Sequence, residues 1–513
     1  MGLIDNHPML NAYPDSLGNT LAGAVAFLQD ERVKGAFSSF YILPSLFCSD
    51  LDRGFSVVEY ELNNENATQS DLDALRELGI GLKLDFVLNH LSVQSPQFQN
   101  LLAHGENSPY RDFFLDWNRF WAGTGEVDET GVLVPRQAYI REMFFRKPGL
   151  PVLMVEFPGG VNKPYWNTFY QQVDVDGDGK KRYLGQMDLD IRSPLVREFY
   201  RQTLERLAGF GAKIVRLDAF AYAPKRVGAK NFLNEPDIWE LLQDITDMAT
   251  PLGLSLLPEI HAGYGEKIYE KIAAKGYMAY DFFLPGLILD AFETGSGEYL
   301  ARWAQELVDK GIRTVNMLGC HDGIPALDLK GLLPEERIQR LISVLVQRGG
   351  FVKDLHGEKN VYYQVNATYY SALGEDDRRL LLARAIQLFM PGKPQVWYLD
   401  LFAGKNDYKA MERAGAGGHK EINRTNLTGK QMREGLEKEV VQKQLALLKF
   451  RSQCPVFRRD AEVTIHAQGT GLAITWQANG QTATLQANLA TAAFTVRVSH
   501  KAGVRDIFQE GAV

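Results

Sequence analysis

An arginine and an aspartate two positions apart stand at the end of a strand-like run in the middle of the chain. Arg216 and Asp218 follow the mostly apolar residues 212–215, and alternate residues of a β-strand point to the same side. A guanidinium in that position keeps the carboxylate ionised and oriented, as a nucleophilic aspartate requires. Such ion pairs inside proteins are often only structural. The pair therefore indicates a catalytic site only together with other residues of the sequence.

Three further strand-like runs end in carboxylate or histidine side chains. They cover residues 82–88, 254–257 and 314–318, and the polar groups at their ends are Asp85, His90, Glu259, His261, His321 and Asp322. In an α/β barrel, the C-terminal ends of eight parallel strands converge on one rim. The sequence therefore predicts an α/β fold, a (β/α)8 TIM barrel, with its active site at that rim.

Three carboxylates, those of Asp218, Glu259 and Asp322, would meet at this rim. Two carboxylates about 5–5.5 Å apart let a retaining glycosidase form and then break a covalent glycosyl-enzyme intermediate. A third can stabilise the positive charge that develops on the sugar. A non-catalytic binding or scaffolding protein is the competing class, but a binding module has no need of an acid/base glutamate. We therefore predict an enzyme.

The composition argues against several other classes of protein. The 513 residues are 45% hydrophobic and 23% charged, which is ordinary for a globular protein. A net charge of −7 gives no basic footprint for nucleic acid. The three cysteines form no CxxC pair, so neither a disulfide framework nor a zinc site is predicted. We expect no secretory signal and no membrane span, and therefore a cytoplasmic protein.

Strand-like and helix-like segments alternate along most of the chain. Residues 69–78 predict a helix and residues 81–87 a strand, and the alternation resumes with a helix over 194–209. We expect a catalytic barrel at 1–88 and 193–454, an inserted loop-rich domain B at 89–192, a second inserted excursion at 323–370, and a C-terminal antiparallel β-domain at 455–513.

An aspartate-rich stretch begins like a metal-binding loop. Asp174, Asp176 and Asp178 alternate before Gly179. A twelve-residue calcium loop closes with a bidentate glutamate, and Gly185 stands at that place. Asp-Gly pairs favour tight turns. We therefore predict a plain hairpin turn, no metal site and no cofactor.

The strand-end motifs together resemble those of the α-amylase superfamily, glycoside hydrolase family 13, and within it the sucrose phosphorylase subfamily. The superfamily motifs correspond to residues 85–90, 215–219, 258–261 and 319–324. The narrower resemblance rests on residues 12–18, 42–44, 52–55, 363–373, 403–407 and 421–424. Together these stretches make the resemblance cover nearly the whole chain.

The resemblance assigns roles to individual residues. Asp218 would be the nucleophile, Glu259 the general acid/base and Asp322 the stabiliser of the transition state. The residues expected to hold the substrate are Asp52, His90, Arg216, His321, Arg424 and Phe169, with Tyr222 and Gln364 nearer the acceptor. Arg146 and Lys147 resemble a loop that approaches phosphate in the subfamily, and two cations suit a dianionic acceptor.

These assignments imply a retaining glucoside phosphorylase. It would transfer a glucosyl unit from an α-glucoside such as sucrose to inorganic phosphate and give α-D-glucose 1-phosphate, without a cofactor. The alternatives are a phosphorylase of a phosphorylated or acidic glucoside (sucrose 6-phosphate, glucosylglycerate) and a retaining α-glucosidase or transglucosidase. Residues 228–232 and 262–264 depart from the subfamily pattern, so the acceptor stays open. A homodimer stays open too, and no nucleic-acid or membrane partner is expected.

Overall fold

Eight parallel strands form the central sheet. The computed structural model describes residues 4–143, 149–354, 362–415, 418–500 and 503–511. The strands are β1 (Met9–Ala12), β2 (Ser39–Ile42), β3 (Gly81–Val87), β4 (Ala212–Asp218), β5 (Ser255–Pro258), β6 (Ala279–Asp281), β7 (Thr314–Met317) and β8 (Lys393–Trp397). Their order in the sheet is β5-β4-β3-β2-β1-β8-β7-β6. Since β1 pairs with both β2 and β8, the sheet is a nearly closed barrel, and the predicted TIM-barrel fold is confirmed.

Helices follow the barrel strands in the order that this fold requires. The longer ones are Leu21–Gln29, Gln69–Glu77, Pro194–Gly209, Asp237–Ala249, Ile268–Ala274, Leu284–Thr294, Glu298–Asp309, Glu335–Gln347, Asp377–Phe389, Gly429–Leu436 and Glu439–Gln453. The helix predicted at 69–78 is confirmed: it buries Leu72 and Leu75, and the Asp71 carboxylate accepts the N–H of Thr68 at 2.8 Å to cap its start. The helix predicted at 194–209 is also present.

The stretch 89–192 contains short strands and helices. They are His90–Ser92, Gly125–Val127, Leu133–Pro135, Val152–Phe157, Val161–Trp166, Gln171–Val175 and Lys181–Asp188, and the helices Pro96–His104, Trp117–Phe120 and Gln137–Ile140. Trp117, Trp121 and Trp166 pack with Leu133 and other apolar residues in a core separate from that of the barrel. Other buried residues of the stretch, Phe98, Phe113 and Leu153 among them, pack in the main core with the barrel. The stretch 89–192, here called domain B, is therefore proposed as an inserted domain that is only partly separate from the barrel.

The second excursion, at 323–370, is more regular than expected. It contains the helix Glu335–Gln347 and an antiparallel sheet of the strands Ile324–Pro325, Phe351–Asp354 and Tyr362–Asn366. The helix buries Ile338, Leu341, Ile342 and Leu345. That spacing is the helical period, so the sequence does contain a local signal for this helix.

The chain ends in an antiparallel sheet. Its five strands are Glu462–Gln468, Gly471–Ala478, Gln481–Asn488, Ala493–His500 and Gly503–Glu510. The indole N–H of Trp476 donates to the Phe389 carbonyl at 2.7 Å and ties the sheet to a barrel helix. The sequence indicates four strand-like runs here, at 461–466, 471–476, 482–487 and 494–498. It does not indicate the last strand, on which Val504 and Ile507 are 65% and 39% exposed. Nowhere in the described ranges does a helix have both the length and the apolar character needed to cross a membrane.

Candidate active site

Arg216 links three carboxylates at the rim of the barrel. One guanidinium nitrogen lies 2.7 Å from Asp218 Oδ1 and 2.6 Å from Asp85 Oδ1. The other lies 2.7 Å from Glu259 Oε1. Because Arg216 is only 4% exposed, little water screens these contacts, and charged hydrogen bonds of this kind are short and strong. The sequence-predicted pair Arg216–Asp218 is therefore joined directly to Glu259.

Asp85 holds Arg216 in place from inside the barrel. Its side chain is fully buried, and the hydroxyl of Tyr41 donates to it at 2.8 Å. Burial raises the pKa of Asp85, and Arg216 and Tyr41 oppose that effect. Although Asp85 lies in a recognised strand-end motif, no role was predicted for it. The structure makes it the anchor of the guanidinium.

The carboxylate of Asp322 has its own cation. Lys420 Nζ lies 2.5 Å from its Oδ1 atom, and His321 Nε2 lies 3.3 Å from its Oδ2 atom. Burial works against ionisation, but the cations Lys420 and Arg424 help to hold the pKa of Asp322 well below its usual value. Asp322 is therefore an anion in the free pocket. The sequence analysis did not identify Lys420.

Two histidines and an arginine surround one end of the site. Phe55 stacks on His321 at 5.0 Å between ring centres, and its carbonyl lies 3.1 Å from His90 Nε2. The Nε–H of Arg424 donates to the His321 carbonyl at 2.8 Å. Burial lowers the pKa of His90 to about 4 and that of His321 well below its usual value. Both rings are neutral near pH 7 and can exchange hydrogen bonds with hydroxyl groups.

Asp52 lies at the same end, in a turn between the paired strands Phe47–Leu51 and Ser56–Leu62. Its backbone has a φ of 50°, which is unusual for a residue other than glycine. Burial lowers the pKa of Lys420, but Asp322 and Asp52 raise it more. The charge of Asp52 thus acts on the cations of this site, as expected for a residue of the pocket.

A row of aromatic rings, here called the aromatic wall, begins at His90. His90 contacts Phe169 at 5.0 Å between ring centres, Phe169 contacts Tyr222 at 5.1 Å, and Tyr222 contacts Phe232 at 4.9 Å. Phe169 comes from domain B and Tyr222 follows β4. The predicted substrate-binding residues His90, Phe169 and Tyr222 therefore lie together.

A cavity lies beside Arg216 and Glu259, on the side of His261 and Phe282. Its lining contains five of the predicted residues, Arg216, Glu259, His321, Asp322 and Gln364. Asp218 is joined to it through Arg216, and the amide oxygen of Gln364 accepts the N–H of Gly323 at 3.3 Å. The predicted phosphate ligands Arg146 and Lys147 lie outside the described residues.

A buried lysine joins domain B to the barrel. Lys225 Nζ lies 2.7 Å from Asp188 Oδ2, and donates to the side-chain oxygen of Asn89 at 2.9 Å and to the Tyr222 carbonyl at 2.8 Å. Thr168 also bonds Asp188, through its N–H and its hydroxyl. Since Asp188 and Thr168 belong to domain B, this ion pair fixes the aromatic wall against β4.

Lys225→Met is expected to lower the free energy of unfolding by about 3–5 kcal/mol, since it leaves the carboxylate of Asp188 buried without its cation. The matched control is Lys181→Met, which breaks the exposed pair with Glu156 and is expected to cost about 1 kcal/mol or less. Equilibrium denaturation of both variants measures the difference. Equal losses would show that the buried pair does not join the domains.

Two groups could be considered for a metal ion. Cys320, His321 and Asp322 place their ligand atoms within 4.8 Å of one another, but Lys420 and Arg424 act on the same carboxylate and make the place unfavourable for a cation. Asp176 Oδ1 accepts the N–H groups of Asp178 and Lys180 at 3.0 and 2.8 Å. These are the contacts of the predicted hairpin turn between Gln171–Val175 and Lys181–Asp188.

Comparison with known proteins decides the family. No protein-family model matches the sequence. The chain is 54% identical to a sucrose 6(F)-phosphate phosphorylase of Ilumatobacter coccineus over 506 residues, which cover 97% of this chain and 96% of that protein. The chain belongs to the sucrose phosphorylase subfamily of glycoside hydrolase family 13.

Two further proteins of the sucrose phosphorylase subfamily are similar to this chain over nearly its full length. A sucrose phosphorylase of Streptococcus mutans is 33% identical and covers 93% of each chain. The crystal structure of sucrose 6F-phosphate phosphorylase from Thermoanaerobacter thermosaccharolyticum superposes with a TM-score of 0.88 at 33% identity, and covers 99% of this chain and 98% of that one. The resemblance inferred from the strand-end motifs is confirmed.

Proposed function

We propose that the protein is a retaining glucoside phosphorylase in which Asp218 is the nucleophile, Glu259 the general acid/base and Asp322 the stabiliser of the transition state. The observation that carries this proposal is the guanidinium of Arg216, which lies 2.7 Å from both Asp218 and Glu259. Two carboxylates held by one guanidinium are neighbours, and a retaining mechanism uses two neighbouring carboxylates. Asp322 stands as a separate anion beside them.

The reaction proceeds in two displacements at C1 of the glucosyl unit. In the first, an oxygen of Asp218 bonds to C1 while the bond from C1 to the leaving oxygen breaks, and Glu259 gives its proton to that oxygen. In the second, a phosphate oxygen bonds to C1, the ester bond to Asp218 breaks, and Glu259 takes the proton of the phosphate. Two inversions give α-D-glucose 1-phosphate.

In the free pocket, the proton that Glu259 needs as a general acid is held more tightly by Asp218. Burial raises the pKa of Asp218, and Glu259 adds to that rise although Arg216 opposes it. Burial acts on Glu259 too, but Arg216 and His261 lower its pKa more than burial raises it. We infer that the two carboxylates share one proton, which passes to Glu259 when the glycosidic oxygen of the donor arrives as its acceptor.

The end of the site formed by Asp52, His90 and Arg424 suits the glucosyl ring. A carboxyl group, a neutral imidazole and a guanidinium offer complementary partners for several hydroxyl groups. His321 and Asp322 stand beside them. The aromatic wall of Phe169 and Tyr222 then supplies an apolar face toward the acceptor side, where we place Gln364 as well.

We propose sucrose 6F-phosphate as the preferred donor, with unphosphorylated sucrose as the weaker one. The 54% identical relative bears that specificity in its name. Gly228 lies close to Tyr139 of the helix Gln137–Ile140, which precedes Arg146 and Lys147 in the sequence. The segment carrying Lys230 thus lies near the helix Gln137–Ile140, and a phosphorylated leaving group needs a cation such as Lys230.

A panel of donors tests this specificity. The rate of leaving-group release in excess phosphate is measured for sucrose, sucrose 6F-phosphate and glucosylglycerate. We expect the highest kcat/KM for sucrose 6F-phosphate, and a selective loss for that donor in the variant Lys230→Met. The control is Lys275→Met, in the turn after the helix Ile268–Ala274, which should leave the ratio of donors unchanged. A preference for sucrose in the wild type would overturn the donor assignment but not the phosphorylase.

A cytoplasmic location and inorganic phosphate as the second substrate complete the proposal. A product that carries a phosphate group is retained by the membrane that surrounds it, which favours its formation inside the cell. Self-association into a homodimer stays open. Sedimentation of the purified protein tests it.

A further inference from the structure

Glu259 is approached by an imidazole that is itself held by a second buried carboxylate. His261 Nε2 lies 3.4 Å from Glu259 Oε1, and His261 Nδ1 lies 3.5 Å from Asp328 Oδ2. Asp328 belongs to the short turn Leu327–Leu329 in the second excursion and is 3% exposed. Three side chains from two parts of the fold thus form a line that ends on the proposed acid/base.

The imidazole of His261 is fixed in orientation and charge. Its ring stacks on Phe282 with 3.8 Å between ring centres and 21° between planes. With a carboxylate facing each ring nitrogen, both nitrogens act as donors. Burial lowers the pKa of His261, but Asp328 and Glu259 raise it to about 10, so the ring is an imidazolium at neutral pH.

The two oxygens of Glu259 have different surroundings. Oε1 accepts from Arg216 at 2.7 Å and faces the imidazolium of His261. Oε2 faces the backbone N–H of Ala219 at 3.4 Å, which is a long hydrogen bond. A proton on Oε1 would meet two cationic donors, whereas a proton on Oε2 would not. The geometry therefore separates an anchored oxygen from one that can carry a proton.

We propose that Asp328 and His261 are positioning residues for Glu259, which hold Oε1 so that Oε2 is the atom that exchanges the proton with the substrate. This inference rests on the proposed function of Glu259 and extends it to one atom. Other titratable or charged groups also act on Glu259 from the surrounding strands: Arg216 and Asp218 of β4, Lys83 of β3, Tyr280 of β6 and Asp322 after β7. These groups stay unchanged in the variants below.

The test uses two donors that differ in their need for an acid. An α-glucoside with an alkoxide leaving group needs the proton of Glu259, whereas α-glucosyl fluoride releases fluoride without one. We expect Asp328→Asn to lower kcat/KM for the glucoside by about 10- to 100-fold, which is less than the roughly 10²–10⁴ that loss of the general acid itself would cost, because Glu259 is still present. With α-glucosyl fluoride the variant should act nearly as fast as the wild type.

The pH profile supplies the second measurement. Removing the charge that Asp328 places beside His261 weakens the imidazolium, and with it one cause of the lowered pKa of Glu259. The alkaline limb of kcat/KM, where the carboxylate pair loses its shared proton, should therefore move to higher pH. His261→Gln should give the same shift, and it replaces Asp328→Asn as the test if that variant does not fold.

Two controls separate the outcomes. Asp281→Asn alters another buried carboxylate, at the end of β6, where it accepts the indole N–H of Trp303, and should leave the pH profile unmoved. Glu259→Gln should show the same donor selectivity as Asp328→Asn, only larger. Equal losses on both donors with an unmoved limb in Asp328→Asn would overturn the positioning role. If Glu259→Gln itself does not distinguish the donors, the acid/base assignment fails instead.

Discussion

Asp218→Asn is expected to lower kcat by roughly 10⁶-fold, the loss that follows removal of a nucleophile in comparable covalent enzymes. An amide cannot form the glucosyl ester, and Asp85, which contacts the same guanidinium nitrogen as Asp218, is fully buried and cannot take its place. Turnover is measured as glucose 1-phosphate release. The matched control is Asp244→Asn, which alters a surface carboxylate paired with Arg197 at 2.6 Å and should keep full activity.

The same substitution has a predicted effect on stability. Burial raises the pKa of Asp218, so in the wild type this group contributes most at acidic pH. The contribution is lost as the pH rises from the ordinary aspartate range, near 4, through the raised value of the folded state. Asparagine mimics the protonated form, so Asp218→Asn should gain stability relative to the wild type at alkaline pH. A variant that is active, or that unfolds more easily at high pH, would contradict the assignment.

Arg216→Met is expected to cause the largest loss in the free energy of unfolding and to impair activity as well. It leaves Asp85, Asp218 and Glu259 buried without their shared cation, and breaking a single buried pair already costs about 3–5 kcal/mol. Without the guanidinium the pKa values of the three carboxylates rise. Their contribution to stability is then present at low pH and is lost as the pH increases.

Thermal unfolding at pH 5 and pH 8 measures this effect. The melting temperature of Arg216→Met should fall much more at the higher pH. The control is Arg197→Met, which breaks a partly exposed pair with Asp244 and should cost about 1 kcal/mol or less at either pH. Equal losses at both pH values would mean that Arg216 acts by packing and not by its charge.

The parts of the site that the sequence predicted are those encoded within one strand and the residues after it. Arg216 and Asp218 face the same side because a strand alternates, and the barrel brings strand ends together. Both statements require only local sequence. The helix at 69–78 and the hairpin around Asp176 were predictable for the same reason, since period and turn residues are local signals.

The parts that were missed depend on contacts between distant residues. Lys420 is 98 positions from Asp322, and Asp328 is 67 positions from His261. Lys225 is 136 positions from Asn89. No periodicity or motif relates such residues, so only the packing of the folded chain shows that they meet. The final strand Gly503–Glu510 was missed for another reason: it lies mostly exposed and polar at the edge of its sheet.

Phosphorus NMR of the reaction mixture tests most directly whether the glucosyl unit is transferred to phosphate with retention of configuration. The protein is incubated with sucrose 6F-phosphate and inorganic phosphate, and the sugar phosphates are followed from the first turnovers. We expect α-D-glucose 1-phosphate as the initial product, formed in equal amount with the released fructose 6-phosphate. Fructose 6-phosphate released without an equal amount of glucose 1-phosphate would show that water reaches the intermediate in place of phosphate. The β-anomer of glucose 1-phosphate would contradict the two displacements at Asp218.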